Sequence, residues 1–141
     1  MCGILGFSGK GAVREIISRG LKSLEYRGYD SCGYAFLSDG IVSINKKTGK
    51  GLTEELVSEI PKHSDKRVFI ISHTRWATHG KVSLENTHPH TDCKNEIALV
   101  HNGIIENYSL LKRELEQKGH IFVSDTDTEV IAHLFEEKAK K

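Results

Sequence analysis

No apolar run in this sequence approaches the roughly 20 residues that a membrane-spanning helix requires, so no membrane partner is expected. The opening stretch lacks the basic and long apolar segments of a secretory leader. An excess of one charge is missing too. Twenty lysines and arginines against 19 acids leave a net charge of +1, which gives no electrostatic footprint for nucleic acid. The three cysteines, Cys2, Cys32 and Cys93, are an odd number at spacings that suit no disulfide framework. Reduced thiols in a cytosolic compartment are the expectation. No internal repeat, linker or low-complexity stretch is visible. What is present is the composition of a folded protein, 38% apolar and 28% charged over 141 residues, one domain or part of one.

The most informative residue stands second. Cys2 is small, so an aminopeptidase can remove Met1 and leave Cys2 with both a thiol and a free α-amine. An α-amine has a pKa of about 8, well below that of lysine, and is suited to accepting a proton near neutrality. N-terminal residues that act as nucleophiles with their own amine are a known solution to acyl transfer. On its own the feature is equally a cysteine that happens to stand second.

Strand-like and helix-like segments alternate along the chain. Ile4 to Phe7 reads as a strand, and Val13, Ile16, Ile17, Leu21 and Leu24 as a helix to about Tyr26. Gly33 to Leu37 and Ile41 to Ile44 flank Ser38-Asp39-Gly40 as a hairpin. Leu52 to Ile60 forms a short helix before Pro61. Val68 to Ser72 and Ile97 to Val100 suit buried strands, and Leu110 to Leu115 a helix stopped by Gly119. Ile121 to Val123 reads as a strand, and Thr126-x-x-Glu129 as a capping box opening a last helix. The alternation alone suggests a generic α/β protein.

Four polar loops interrupt these elements: Arg27 to Ser31, His73 to Gly80, His101 to Asn107 and Ser124 to Thr128. Loops on a rigid scaffold are where functional groups gather. Four of them with a reactive N-terminus point to one site assembled from distant segments. His88-Pro89-His90-x-x-Cys93 places soft ligands close together, but the spacing matches no common zinc pattern. No metal and no cofactor are expected.

Leu24 to Ser31, His73 to Gly80 and His101 to Tyr108, in this order after Cys2, resemble the signature segments of the class II glutamine amidotransferases, which are N-terminal nucleophile hydrolases. Within that family the resemblance is strongest to the branch that makes glucosamine 6-phosphate from fructose 6-phosphate and glutamine. It runs over residues 1–141 but not over a whole family protein. It implies the N-terminal part of a glutaminase domain, without the sugar-phosphate isomerase domains. The implied fold is α+β, a four-layer α/β/β/α sandwich, incomplete at its C-terminus and with one sheet short of strands.

The resemblance also implies roles. Cys2 attacks the side-chain amide of glutamine, and Asn102 and Gly103 stabilise the oxyanion. Arg75 grips the substrate carboxylate and Asp127 pairs with its ammonium. Trp76, Thr78 and His79 line the pocket, with Trp76 gating an ammonia passage toward a sugar-phosphate isomerase domain or subunit. Arg27 supports the nucleophile. Plainer readings stand beside these. They are a turn at Asn102-Gly103, a surface charge at Arg75, a helix-start acid at Asp127, a core aromatic at Trp76, and an Arg27–Asp30 ion pair. Three alternatives also stand: a non-catalytic fragment of such an enzyme, the glutaminase part of another class II amidotransferase, and a binding module without chemistry.

Overall fold

The computed structural model describes residues 2–28, 30–76 and 81–139. Its centre is a four-stranded antiparallel sheet in the order β1-β4-β2-β3, formed by β1 (Gly3–Gly11), β2 (Ser31–Ser38), β3 (Ile41–Thr48) and β4 (Ser64–Arg75). The β2–β3 hairpin closes on Asp39-Gly40. Both residues have positive φ, 51° and 80°, as the tight turn of a right-twisted hairpin demands.

Helix α1 (Val13–Leu24) buries Val13, Ile17 and Leu21 completely. Their four-residue spacing makes one stripe, and Ile16 falls outside it and stays exposed. Helix α2 (Thr53–Val57) adds Leu56 and Val57, with Ile60 just beyond. These side chains pack on Cys32, Tyr34, Val68 and Ile70 to form the core. Alternation along β4 turns Val68, Ile70, Ser72 and Thr74 toward the helices and His73 and Arg75 toward the opposite face.

On that opposite face lies the segment leading into β5 (His90–Thr91), which pairs with β6 (Ala98–Leu99) as a two-stranded ribbon. Contact is close at Gly33. A Cβ there would stand 2.2 Å from the His88 carbonyl oxygen. Helices α3 (Tyr108–Gln117) and α4 (Glu129–Ala139) pack on each other, and α4 also packs on β5. The layers run helices, sheet, ribbon, helices. The expected α/β/β/α order is therefore present, and the second β layer among the described residues is the short ribbon. Phe69 and Ile4, on the ribbon side of the sheet, are 49% and 43% exposed. No helix among the described residues is long and apolar enough to cross a membrane.

Three expectations are corrected. Ile121 to Val123 is not a strand. The Ile121 N–H goes to Cys93 Sγ at 3.4 Å and the Val123 N–H to a Glu129 carboxylate oxygen at 2.8 Å, so side chains take donors that a ladder would use. Ile97 to Val100 pairs only at Ala98 and Leu99. The capping box at Thr126 does not form. Glu129 is the first residue of α4, and its carboxylate reaches back to the N–H groups of Val123 and Ser124. Thr126 Oγ1 instead lies 2.9 Å from both the Ser124 hydroxyl and His90 Nε2.

Candidate active site

The register between β1 and β4 places Gly3 opposite Thr74, so Cys2 meets Arg75 and Trp76. The Trp76 backbone N–H donates to Cys2 Sγ at 3.3 Å, and Gly3 N–H donates to Thr74 Oγ1 at 3.2 Å.

The loop after β6 brings Asn102 to the same point. Its Oδ1 faces His73 Nε2 at 2.9 Å and its Nδ2 donates to the Cys2 carbonyl at 3.1 Å. Only one orientation of this amide works. The flipped amide would set two acceptors face to face at Cys2, so His73 carries its proton on Nε2. His73 lies on the same face of β4 as Arg75, two residues away. Next to Asn102, Gly103 adopts φ +156°, and a Cβ there would stand 2.7 Å from His101 Nε2.

These groups surround a cavity of about 540 Å³, within the usual range for small-molecule sites. Cys2, Asn102 and Gly103 line it, as do Arg27, Arg75, Trp76 and Asp127. Thr78 and His79 lie outside the described residues. Arg75 is 5% exposed. Burial lowers its pKa, while the nearby Cys2 and Asp30 act to raise it. Its Nη1 donates to the Lys81 carbonyl at 3.4 Å. Asp127 just precedes α4 and accepts the Ile105 N–H, so both a helix-start role and a place on the cavity wall hold for it. Trp76 is 42% exposed, which sets aside the core-aromatic reading. Arg27 Nε donates to the Tyr26 hydroxyl at 3.1 Å.

Several contributors escaped the sequence reading. His73 orients Asn102, and only its position two residues before Arg75 could have signalled that. Its ring stacks on His88 at 4.2 Å between centroids, and His88 meets His90 at 4.5 Å. Burial is the main cause that holds all three below the ordinary histidine range, His73 at about 4 and His90 at about 3. Of the three, His73 and His88 line the cavity. His101, also on the cavity wall, has Nδ1 3.3 Å from Thr128 Oγ1. Asn86 fixes the 124–128 segment, its Oδ1 accepting the Asp125 N–H at 2.8 Å. The His88-Pro89-His90-x-x-Cys93 cluster does not come together as a unit. His88 stacks on His73, His90 meets His88 edge-on, and Cys93 turns to His120 and His133.

A thiol with a backbone donor on it, an amide donor beside it, and a cation and an anion on one cavity wall suit attack on a small zwitterion that carries a carbonyl. Comparison with known proteins agrees in kind. Residues 60–141 match the family model described as glutamine amidotransferase domain. The chain is 53% identical over 140 residues to a glutamine–fructose-6-phosphate aminotransferase of Pyrococcus horikoshii, covering 99% of this chain and 23% of the relative. It is 54% identical over 141 residues to the Helicobacter pylori protein of that name, again covering 99% and 23%. The chain thus spans about a quarter of the length of these curated relatives. Among solved structures, the glutamine phosphoribosylpyrophosphate amidotransferase of Bacillus subtilis superposes with a TM-score of 0.72 at 33% identity. That match covers 96% of this chain and 29% of that one. By its cavity, its fold and the family model that covers more than half of it, the chain belongs to the glutamine amidotransferases.

Proposed function

We propose that the chain hydrolyses the side-chain amide of glutamine to glutamate and ammonia through a thioester on Cys2. The observation that supports this most is the convergence of Cys2 Sγ, Asn102 Nδ2, Arg75 and Asp127 on one cavity. Cys2 Sγ bonds to the amide carbon, and its proton passes by way of the α-amine to the leaving nitrogen. The C–N bond breaks and ammonia departs. Water then attacks the thioester, glutamate leaves and the thiol is restored. Negative charge on the amide oxygen is met by Asn102 Nδ2 and the Gly103 N–H, and one good donor of this kind is worth roughly 3–4 kcal/mol of barrier. Arg75 holds the α-carboxylate in its planar fork, and Asp127 holds the α-ammonium. Thr78 and His79 complete the pocket, and Arg27 supports the nucleophile.

The ammonia is supplied to glucosamine 6-phosphate synthesis from fructose 6-phosphate, in the cytosol. A sugar-phosphate isomerase domain or subunit acts as acceptor, and Trp76 stands at the gate. What supports this finer reading is the 53–54% identity to proteins named for that reaction, against 33% to the solved phosphoribosylpyrophosphate amidotransferase. In this reading residues 1–141 are the N-terminal part of the glutaminase domain.

The test is glutamine turnover by the protein at its natural length, with glutamate and ammonia quantified and Met1 removal checked by intact mass. Equal release of both, abolished by Cys2→Ala, is expected. Turnover undiminished in Cys2→Ala, or with Met1 retained, overturns the mechanism. Ammonia release with no amino sugar from fructose 6-phosphate overturns only the finer reading.

A further inference from the structure

Cys93, His120, His133 and Glu136 bring one ligand atom each to a common point, all within 4.8 Å of one another, and none of the four lines the cavity. Cys93 Sγ lies 3.6 Å from His133 Nδ1 and 3.8 Å from His120 Nδ1. Glu136 Oε2 lies 2.8 Å and 3.3 Å from the same two nitrogens. A tetrahedral zinc ion, with bonds of about 2.3 Å to sulfur and 2.0 Å to nitrogen or oxygen, holds its ligands roughly 3.3–3.5 Å apart. Four of the quartet's six edges, at 2.8–3.8 Å, lie near that length, and none exceeds 4.8 Å.

Each ligand is delivered by a separately built feature. Cys93 sits on the β5–β6 turn, shaped by the Asp92 carboxylate, which accepts the N–H groups of Glu96 and Ile97 at 2.8 Å each. His120 follows the close of α3. There the Gly119 N–H bonds to Glu116 O at 3.0 Å and the His120 N–H to Leu115 O at 3.1 Å, with Gly119 at φ +92°. His133 and Glu136 stand three residues apart on one face of α4.

The surroundings are those of a ligand set. Both histidines turn Nδ1 inward, and both turn Nε2 toward a carboxylate. His120 meets Glu137 at 2.9 Å and His133 faces Glu129 at 3.6 Å. Carboxylates on the outer ring nitrogen orient metal-binding imidazoles and raise their basicity. Cys93 Sγ accepts the Ile121 N–H at 3.4 Å. The two histidines and Glu136 are buried while Cys93 is at the surface, which leaves a path of entry.

We propose that Cys93, His120, His133 and Glu136 form a structural zinc site. Four protein ligands close the coordination sphere, and a thiolate with two imidazoles selects a borderline-soft divalent ion over magnesium or calcium. Binding displaces the thiol proton of Cys93 to solvent. The ion fastens the ribbon turn, the residues after α3 and α4 to one another. Asp127 and Thr128 immediately precede α4, so the site steadies part of the cavity wall from behind. The proposal does not rest on glutamine chemistry.

The experiment uses the protein at its natural length, purified without chelator, with elemental analysis and then replacement of the metal by Co²⁺. About one zinc per chain is expected, with a thiolate-to-cobalt charge-transfer band in the near ultraviolet. Cys93→Ser removes that band while Cys32→Ala keeps it. The wild-type titration decides the matter even if Cys93→Ser fails to fold. Folded wild-type protein that binds neither Zn²⁺ nor Co²⁺ at micromolar excess overturns the proposal. So does a charge-transfer band that survives in Cys93→Ser.

Discussion

His73 Nε2 and Asn102 Oδ1 lie 2.9 Å apart, and this contact decides which end of the Asn102 amide faces Cys2. A buried neutral histidine on the strand thereby orients a donor on a distant loop. The pair should behave as one unit in kinetics. Asn102→Ala should cost roughly 10²–10³ in kcat, the usual loss for one oxyanion donor. His73→Ala should lower kcat by a smaller factor, with KM little changed. Its effect should vanish in the Asn102→Ala background. A double-mutant cycle on glutamine turnover measures this, and fully additive losses would show that His73 acts elsewhere.

Acid should destabilise the fold through the stacked histidines. His73 and His90 have folded pKa values of about 4 and 3 against an ordinary 6.5, and His88 is also depressed, in each case chiefly by burial. Between about pH 6.5 and those values the unfolded chain takes up protons that the folded chain refuses, so stability falls as pH drops through that window. At pH 5 the cost is up to about 2 kcal/mol for each of these imidazoles. Urea unfolding at pH 7 and pH 5 checks it. Midpoints that do not move would mean that these rings are protonated or exposed.

Two glycine substitutions should part company. Gly33→Ala forces a Cβ to within 2.2 Å of the His88 carbonyl oxygen and 3.0 Å of that of Asn45, both backbone atoms. A loss of about 1–3 kcal/mol is expected. Gly6→Ala meets nothing within 4 Å and should change stability by about 0.5 kcal/mol or less. Thermal unfolding of the two variants gives the comparison, and equal effects would contradict the packing of residue 88 on the sheet.

Local rules carried the sequence reading far. The stripe Val13, Ile17 and Leu21 marks α1, Asp39-Gly40 marks the hairpin, and Gly119 marks the end of α3, because each is settled by neighbours in sequence. The cavity was legible as four polar loops and Cys2, since the motif residues sit where strands and helices end. Residues 121–123 were not legible. Their apolar pattern suits a strand, but Cys93 Sγ and Glu129 take the Ile121 and Val123 N–H donors. The Thr126 capping box failed for a related reason, because Glu129 is drawn to the N–H groups of Val123 and Ser124. The Cys93 cluster was invisible for want of short spacing. Its members run from position 93 to 136, far beyond the local 88–93 spacing, which matches no common zinc pattern.

The most direct measurement is labelling by a glutamine analogue that carries an electrophilic ketone in place of the amide, followed by peptide mapping of the three cysteines. Cys32 is buried and its thiol is pushed up to about 11, mainly by burial and then by Glu25, so it should stay unlabelled. Cys93 is exposed but lies outside the cavity. Label on Cys2 alone, lost when Arg75→Ala removes the grip on the substrate carboxylate, is the result expected. Equal labelling of Cys2 and Cys93 in folded protein, unchanged by Arg75→Ala, would contradict a glutamine site at Cys2.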